Sequence, residues 1–353
     1  MNVKKLQERL AEKHLDAIVL FSPVSIRYLT KFYITDGAAV ITRSSALLFT
    51  DSRYIEAARA QAEEADVRLF DREHRLSALL QEALAGCTAV GAEEGALSHA
   101  DWQFWEEKLA LKLLPAESVL REMRAVKDAA ELESIIAAQR IAEQALEEVL
   151  PLIRPGMTER TLAAELTYRM LLRGGEGNSF DPIAVTGKKT SMPHGVPGDE
   201  VIRAGDFVTM DFGCIKNGYC SDMTRTVAVG YATDEMREVY DIVLRAQSAG
   251  IAAAKAGVTG AAVHNAGAQV IADAGYGACF GHGFGHSVGL EIHESPSASP
   301  ANTAPLPAGA VITAEPGIYL PGRFGVRIED MLYLTENGCI DLTEAPKELI
   351  IIQ

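Results

Sequence analysis

The sequence predicts an α+β protein in which a smaller α/β domain, residues 1–122, precedes a larger domain, residues 123–353. Two observations lead to this prediction. Residues 1–122 alternate short helical and strand patterns, which is typical of an α/β layer arrangement. From Arg124 onward, long amphipathic helices are followed by strands and a hairpin, and this order occurs twice. The repetition indicates a duplicated unit of helices and paired strands.

The elements of the N-terminal domain follow from periodicity and turn chemistry. A helix is predicted over roughly residues 2–13, and the apolar run DAIVLF predicts a buried strand. The segment AAVITRSSALLFTD indicates a hairpin that turns at Arg43-Ser44-Ser45, with a helix after it in SRYIEAARAQAEE. A further strand at VRLFD and a helix around residues 75–84 precede a helix that contains Trp102. The domain has neither a glycine-rich phosphate loop nor a cluster of metal-binding side chains.

The larger domain begins with the amphipathic segment KDAAELESIIAAQRIAEQALEEVLPLI, a long helix with Asp128 as its candidate N-cap. A second helix is predicted from Thr158 to Gly174. After the first hairpin, two more helices are predicted over roughly residues 234–256 and 260–273. A glycine- and histidine-rich stretch and a second hairpin complete the chain.

The composition is that of an ordinary globular protein and excludes some partners. Of 353 residues, 48% are hydrophobic and 23% are charged. The net charge of −15 argues against nucleic acid and anionic membrane surfaces, which bind basic patches. No apolar run approaches the length of a membrane span or of a signal-peptide core. The five cysteines are odd in number and lack CxxC spacing, which is typical of a reducing compartment, so we expect a cytoplasmic protein. From the net charge we expect no nucleic-acid or membrane partner.

The hairpin DFVTMDFGCIKNGYCSDMTRTVAV carries two acidic residues, Asp211 and Asp222, on strands that are otherwise apolar or β-branched. If the chain turns at Lys216-Asn217, the two acids lie directly opposite each other. If it turns at Asn217-Gly218, they are diagonal neighbours on the same face. Carboxylates so close repel each other unless a cation lies between them. Taken alone, the pair leaves a salt bridge and a metal site equally open.

Three histidines, His282, His286 and His293, lie within GHGFGHSVGLEIHE. Glycine lets the backbone approach a ligand closely and offers no side chain to pack. A binding role is therefore favoured over a flexible surface loop with incidental histidines.

The second hairpin, AVITAEPGIYLPGRFGVRIEDMLYL, repeats the acidic pair. Glu315 and Glu329 lie symmetrically about its turn, so we expect them to meet as cross-strand neighbours. An unpaired carboxylate among apolar residues is costly. A salt bridge to Arg323 or Arg327 is the competing interpretation.

The hairpins and the histidine-rich stretch together offer four carboxylates and one imidazole: Asp211, Asp222, His286, Glu315 and Glu329. About two divalent cations would neutralise the four carboxylates. Oxygen-rich ligation with a single histidine suits Mn²⁺, Co²⁺ or Zn²⁺ better than a thiolate-loving metal. Two metals roughly 3.5–4 Å apart can share a bridging water and acidify it. The set therefore predicts hydrolysis.

The order of these residues, with GHGFGH, His293-Glu294, EPGIY and GVRIED, resembles the pita-bread metallopeptidases, and within them the Xaa-Pro branch of aminopeptidase P and prolidase. The resemblance covers most of 124–353. Residues 1–122 also resemble the N-terminal domain of that branch, in IVLFSPVSIRYLTKF and LLFTDSRYIEAA. The resemblance to the Xaa-Pro branch implies a duplicated αββ catalytic domain, a homodimer and a small peptide substrate with proline in second position.

The resemblance also implies a role for each metal ligand. Asp211 and Asp222 would bind one metal and bridge to the other, His286 and Glu315 would complete the second site, and Glu329 would bridge both. His286 rather than His282 is the ligand, because the family's metal histidine stands seven residues before its catalytic histidine. Mn²⁺ is the expected ion.

Further roles carried over from the family concern catalysis and substrate. His194 and His293 would hydrogen-bond the substrate carbonyl, and Glu315 would accept a proton from the attacking water. His282 would line the pocket for proline. Arg327 would contribute to substrate binding and orient neighbouring carboxylates.

The chain departs from the family in one informative place. No lysine or arginine occurs between His293 and Arg323, where some prolidases have an arginine. This weakens the strict dipeptidase interpretation and leaves longer Xaa-Pro peptides open. Three competing hypotheses use the same fold: a methionine-aminopeptidase-like enzyme, a metal-free pita-bread binding module and a creatinase-like amidinohydrolase. The five intact ligands argue against the last two.

Overall fold

The computed structural model describes residues 2–353. The chain forms two compact units that divide after Met123, and the second comprises Arg124–Gln353. Each unit has its own clusters of buried hydrophobic residues. Within the described residues, no helix combines the length and the apolar character needed to cross a bilayer.

A mixed sheet forms the centre of the first unit. Its strands are β1 (Ala17–Leu20), β2 (Gly37–Thr42), β3 (Ala46–Thr50), β4 (Asp66–Leu69), β5 (Val90–Ala92) and β6 (Leu113–Pro115). They lie in the order β4-β3-β2-β1-β5-β6, with β2 antiparallel to both β1 and β3. The predicted hairpin at Arg43-Ser44-Ser45 is confirmed, because Ile41 pairs with Ala46 across it.

The helices of this unit and its border are α1 (Asn2–Glu12), α2 (Pro23–Thr30), α3 (Ile55–Gln61), α4 (Leu76–Ala83), α5 (His99–Leu109) and α6 (Glu117–Ala125). Helix α2 was not predicted, although its signals are in the sequence. Ser22 is its N-cap and Pro23 occupies the first turn, where the absent N–H costs nothing. The short helix directly follows an apolar strand, so its residues show no separate helical periodicity in the sequence.

Long helices of the second unit are α7 (Ala129–Val149), α8 (Glu159–Leu172), α9 (Asp234–Ala253) and α10 (Gly260–Asp273). Each begins after a capping side chain, as predicted for Asp128, which forms a capping box with Glu131. Thr158 and Thr233 cap α8 and α9, and each side chain accepts one backbone N–H of the first turn. Single 3₁₀ turns occur at 150–152, 187–191 and 277–279.

Strands of the second unit alternate with these helices. They are β7 (Gly177–Asn178), β8 (Ile183–Thr186), β9 (Phe207–Phe212), β10 (Cys214–Lys216), β11 (Tyr219–Cys220), β12 (Met223–Val229), β13 (Gly285–Ser287), β14 (Glu294–Ala298), β15 (Val311–Ala314), β16 (Gly317–Leu320), β17 (Phe324–Arg327), β18 (Asp330–Leu334), β19 (Cys339–Asp341) and β20 (Ile351–Ile352). One sheet has the order β20-β12-β9-β8 and another β14-β13-β15-β18-β19. Smaller sheets are β11-β10-β7 and β16-β17.

The buried ring of Phe284, directly before β13, packs against both α9 and α10. The fully buried Phe284 lies against Gly250 of α9 and Gly267 of α10. A Cβ atom built on Gly250 would lie 2.0 Å from Phe284 Cζ, and one on Gly267 2.4 Å from Cε2. Glycine therefore makes room for this ring, which precedes the strand that carries His286.

We predict that Gly250→Ala lowers the free energy of unfolding by about 1–3 kcal/mol, as overpacked cores do. The clash with Phe284 outweighs the better helix propensity of alanine. Urea denaturation measures this change. The control is Ser248→Ala on the exposed side of the same helix, which should leave stability almost unchanged. Equal stability of the two variants would contradict the packing argument.

Candidate metal centre

The first acidic hairpin has the second of the two predicted registers. Lys216 pairs with Tyr219, so the turn is Asn217-Gly218, and both turn residues have positive φ. Asp211 therefore stands opposite Thr224, and Asp222 is its diagonal neighbour. Both acids line one cavity of about 540 Å³.

The second hairpin brings Glu315 and Glu329 to the same cavity. The two glutamates lie where the pairing of β15 with β18 stops and that of β16 with β17 starts. Ala314 pairs with Asp330 on one side of this gap, and Gly317 pairs with Arg327 on the other. Backbone pairing thus places the two glutamates at matching positions, as the symmetry of the hairpin predicted.

Thr224 connects the two hairpins. The Glu329 N–H donates to the Thr224 carbonyl over 3.1 Å, and the Thr224 hydroxyl donates to Glu329 Oε2 over 2.7 Å. Thr313 plays a similar part beside Glu315, with Oγ1 3.0 Å from Glu315 Oε1. Neither threonine was predicted, although each is two residues from an acid on the same strand face and the period-two rule could have found both.

His286 lies between the acids. Its Nε2 is 3.5 Å from Asp222 Oδ2 and 3.4 Å from Glu315 Oε1. Its Nδ1 is 3.2 Å from the Ser287 carbonyl, which assigns the proton to Nδ1 and leaves the Nε2 lone pair toward the carboxylates. Burial, and then the neighbouring His293, lower the pKa of His286 to about 4, so the ring is neutral at pH 7.

The carboxylates fit a bound cation. Candidate ligand atoms of Asp222, His286 and Glu329 all lie within 4.8 Å of one another. Within the described residues, Oδ1 of Asp211 and Oδ1 of Asp222 are buried without a hydrogen-bond partner. A buried carboxylate oxygen without a donor is costly. Hard divalent ions satisfy such oxygens, so the donor set suits a divalent metal.

Electrostatics support the same conclusion. Burial, followed by the neighbouring acids, raises the pKa of Asp222 and of Glu329 well above the ordinary range. Burial raises the pKa of Glu315 to about 8 against the opposing effect of Arg327. Protons and cations therefore compete for these oxygens, and cation binding strengthens as the pH rises.

Arg327 is a buried partner of Asp211, with Nη2 2.6 Å from Asp211 Oδ2. Nη1 donates to Tyr319 Oη at 2.8 Å, and Nε donates to Thr224 Oγ1 at 3.1 Å. The guanidinium is therefore committed to protein atoms. Arg323 pairs instead with Glu235. Among residues 2–353, neither Glu315 nor Glu329 forms a salt bridge to an arginine, so the competing interpretation of that pair is wrong.

The remaining predicted histidines, His194, His282 and His293, all line the cavity. His293 lies edge-on to His286, with ring centroids 4.4 Å apart. His282 Nε2 is 2.9 Å from Tyr319 Oη. Tyr319 was missed by the sequence argument, although it ends the EPGIY motif. Apolar residues of the lining were also missed, because no local pattern marks them: Phe180, Ile183, Val196 and Ile292.

A buried glutamate holds the loop that carries His194. The Glu159 carboxylate accepts the N–H groups of Thr186 and Gly198, each over 2.9 Å, and lies 2.7 Å from Lys189 Nζ. Its side chain is fully buried. The two ends of the loop are thereby fastened to the start of α8.

Two family comparisons match the chain. The profile described as Metallopeptidase family M24 matches residues 133–336, and the profile described as Creatinase/Prolidase N-terminal domain matches residues 2–126. The chain belongs to metallopeptidase family M24. The predicted fold class is confirmed: a creatinase/prolidase-type N-terminal domain precedes a pita-bread domain. Membership in this family also makes the protein an enzyme that binds divalent metal.

Individual M24 relatives match over the whole chain. An uncharacterized peptidase of Bacillus subtilis, YqhT, is 38% identical, with full coverage of both chains. The solved structure of an Xaa-Pro dipeptidase from Bacillus anthracis is 37% identical, with a TM-score of 0.95, 99% of this chain covered and 98% of that one. An X-Pro aminopeptidase structure from Thermotoga maritima is 36% identical, with a TM-score of 0.93, 98% of this chain covered and 100% of the other.

We predict that Glu159→Ala frees the loop of His194, because two backbone N–H groups lose their acceptor. Amide hydrogen exchange followed by mass spectrometry should show faster exchange at Thr186 and Gly198. Loss of the buried acceptor should also cost about 1–3 kcal/mol of unfolding free energy. The control is Arg160→Ala, whose exposed side chain pairs with the surface residue Asp199. Unchanged exchange in Glu159→Ala would contradict the prediction.

Proposed function

We propose that the protein is a dinuclear-metal exopeptidase that hydrolyses the bond between an N-terminal residue and proline. The observation that carries this proposal is the buried set of carboxylates with unpartnered oxygens on one cavity wall. The Xaa-Pro dipeptidase and X-Pro aminopeptidase relatives support the choice of substrate. Both match this chain over nearly its full length.

The proposed ligand set uses all five residues predicted from the sequence: Asp211, Asp222, His286, Glu315 and Glu329. Two divalent cations balance the four negative charges of these carboxylates. Mn²⁺ suits oxygen-rich ligation with one imidazole, and Co²⁺ and Zn²⁺ suit it next best. When bound, the ions supply an acidified water and a polarised substrate carbonyl.

The chain's own residues supply the other functions. Glu315 accepts the proton of the attacking water as a general base. His194 and His293 donate hydrogen bonds to the substrate carbonyl as negative charge develops there. His282 lines the wall that receives proline, and Arg327 acts by orienting Asp211 beside the substrate.

The charges of the cavity lining support peptides longer than a dipeptide as substrates. A dipeptide bears its carboxylate on the proline itself and needs a cation there. Among the described residues that line the cavity, Arg327 is the only lysine or arginine, and its guanidinium already bonds Asp211 and Tyr319. The proposal therefore includes Xaa-Pro-Yaa peptides as good substrates, as the name of the aminopeptidase relative implies for that protein.

The setting of the enzyme is also proposed. The net charge of −15 disfavours nucleic acid and anionic membranes as partners. Unpaired cysteines suit the cytoplasm, and the cysteines of the described chain are free. The family resemblance supports a homodimer. Light scattering coupled to gel filtration tests that assembly state.

We predict that Asp222→Asn loses bound metal and hydrolytic activity while remaining folded. The loss should exceed the roughly 10–100-fold typical of residues that only touch a metal ligand. The metal-free variant should be no less stable than the metal-free wild type, because a repelling carboxylate has been removed. Elemental analysis, Leu-Pro-Gly hydrolysis and urea denaturation measure the three quantities.

Asp241→Asn is the matched control for this prediction, because the exposed Asp241 pairs with the surface residue Arg245. Full activity of Asp222→Asn in Mn²⁺ would refute the dinuclear assignment. Wild-type protein without bound divalent ions after Mn²⁺ loading would favour the metal-free binding module.

We predict that kcat/KM for Leu-Pro-Gly equals or exceeds that for Leu-Pro in the presence of Mn²⁺. The amide Leu-Pro-NH₂ separates the effect of charge from that of length, because it removes only the carboxylate. It should be cleaved at least as well as the free dipeptide. A strong preference for Leu-Pro over its amide would show that the pocket does bind the carboxylate.

A further inference from the structure

The loop between β13 and β14 carries His293 and closes around one carboxylate. Ser287 and Glu294 pair across its base. The Glu294 side chain turns back into the loop, where Oε1 accepts the Glu291 N–H over 3.2 Å. A Cβ atom on Gly289 would lie 2.4 Å from Glu294 Oε2, so only glycine leaves room for this arrangement. The position of His293 therefore depends on where Glu294 is held.

Two cations hold Glu294 in the interior. Its side chain is 5% exposed, and that of Lys127 is 1% exposed. Lys127 Nζ lies 3.0 Å from Oε2, and Arg124 Nη2 lies 2.5 Å from Oε1. Burial alone would raise the pKa of Glu294, but Lys127 and then Arg124 bring it below its ordinary value. The carboxylate is therefore ionised and paired on both oxygens.

Lys127 reaches the residues that follow both histidines. Its Nζ donates to Ser287 Oγ over 3.3 Å as well as to Glu294. Ser287 is the neighbour of His286, and Glu294 is the neighbour of His293. The backbone of Lys127 is held by a separate hydrogen bond, in which its N–H donates to the Gly309 carbonyl over 2.9 Å. One fixed ammonium thus joins the two strand ends from which the imidazoles project.

We propose that Lys127, assisted by Arg124, is a positioning residue that sets the separation of the imidazole rings of His286 and His293. Within the described residues, neither cation lines the cavity, so both act through Glu294 and the strand ends. Lys127 also lies between the two family matches, of which the first ends at residue 126 and the second begins at residue 133. The catalytic consequence rests on the proposed function, whereas the geometric consequence does not.

The test compares Lys127→Met with the wild-type protein, both loaded with Mn²⁺. Crystal structures give the separation of the His286 and His293 ring centroids, which is 4.4 Å here. Kinetics on Leu-Pro-Gly give kcat and KM separately. Glu294→Gln is the second variant, and it keeps an acceptor for the loop while removing the charge. Arg169→Met is the control, because Arg169 also bridges two carboxylates but lies away from the cavity.

We expect the centroid separation to change in Lys127→Met and in Glu294→Gln, with kcat lower by about 10–100-fold. KM and metal content should stay at the wild-type level, because the lost interaction serves the transition state. Arg169→Met should change none of these quantities. An unchanged ring separation in both variants would overturn the proposal, as would a fall in kcat that follows metal loss alone. Failure of the wild-type enzyme to cleave either Leu-Pro or Leu-Pro-Gly would instead overturn the proposed function and leave the ring geometry to decide this inference.

Discussion

Four carboxylates that line one cavity repel one another, and the surrounding structure holds them in place. Asp222 and Glu329 are almost fully buried, and burial, followed by the neighbouring acids, raises the pKa of each well above its ordinary value. The neutral Thr224 hydroxyl lowers the pKa of Glu329, but burial and the neighbouring acids outweigh it. A divalent cation relieves the repulsion directly, which is why the unpartnered oxygen of Asp211 carries so much weight.

Backbone pairing between strands brings the carboxylates close together in spite of their mutual repulsion. Each hairpin fixes two carboxylates through its register, and the contact of Thr224 with Glu329 fixes one hairpin against the other. Behind this contact, Arg225 is buried beside Asp330 and donates to backbone carbonyls, including that of Glu329. The Arg225–Asp330 pair is hydrogen-bonded on both sides, so its burial costs less than that of isolated ions.

Ion pairs also hold the loops that carry His194 and His293. Glu159 with Lys189 fastens the loop of His194, and Glu294 with its cations fastens the loop of His293. Glu159 accepts two backbone N–H groups at the ends of its loop, and Glu294 accepts the N–H of Glu291 inside its loop. A loop held in this way can present an imidazole at a fixed position, which electrostatic catalysis requires.

The sequence by itself determined the fold class, the long capped helices of the second unit and the two acidic hairpins, because these depend on local periodicity and turn residues. It left two registers open at Asn217-Gly218, and positive φ at both turn residues decided between them. Tertiary structure alone decided that Arg327 pairs with Asp211, and that Lys127 reaches Glu294 across 167 positions of the chain. Such contacts depend on how separate elements pack, and no local pattern encodes the distance between side chains that are remote in sequence.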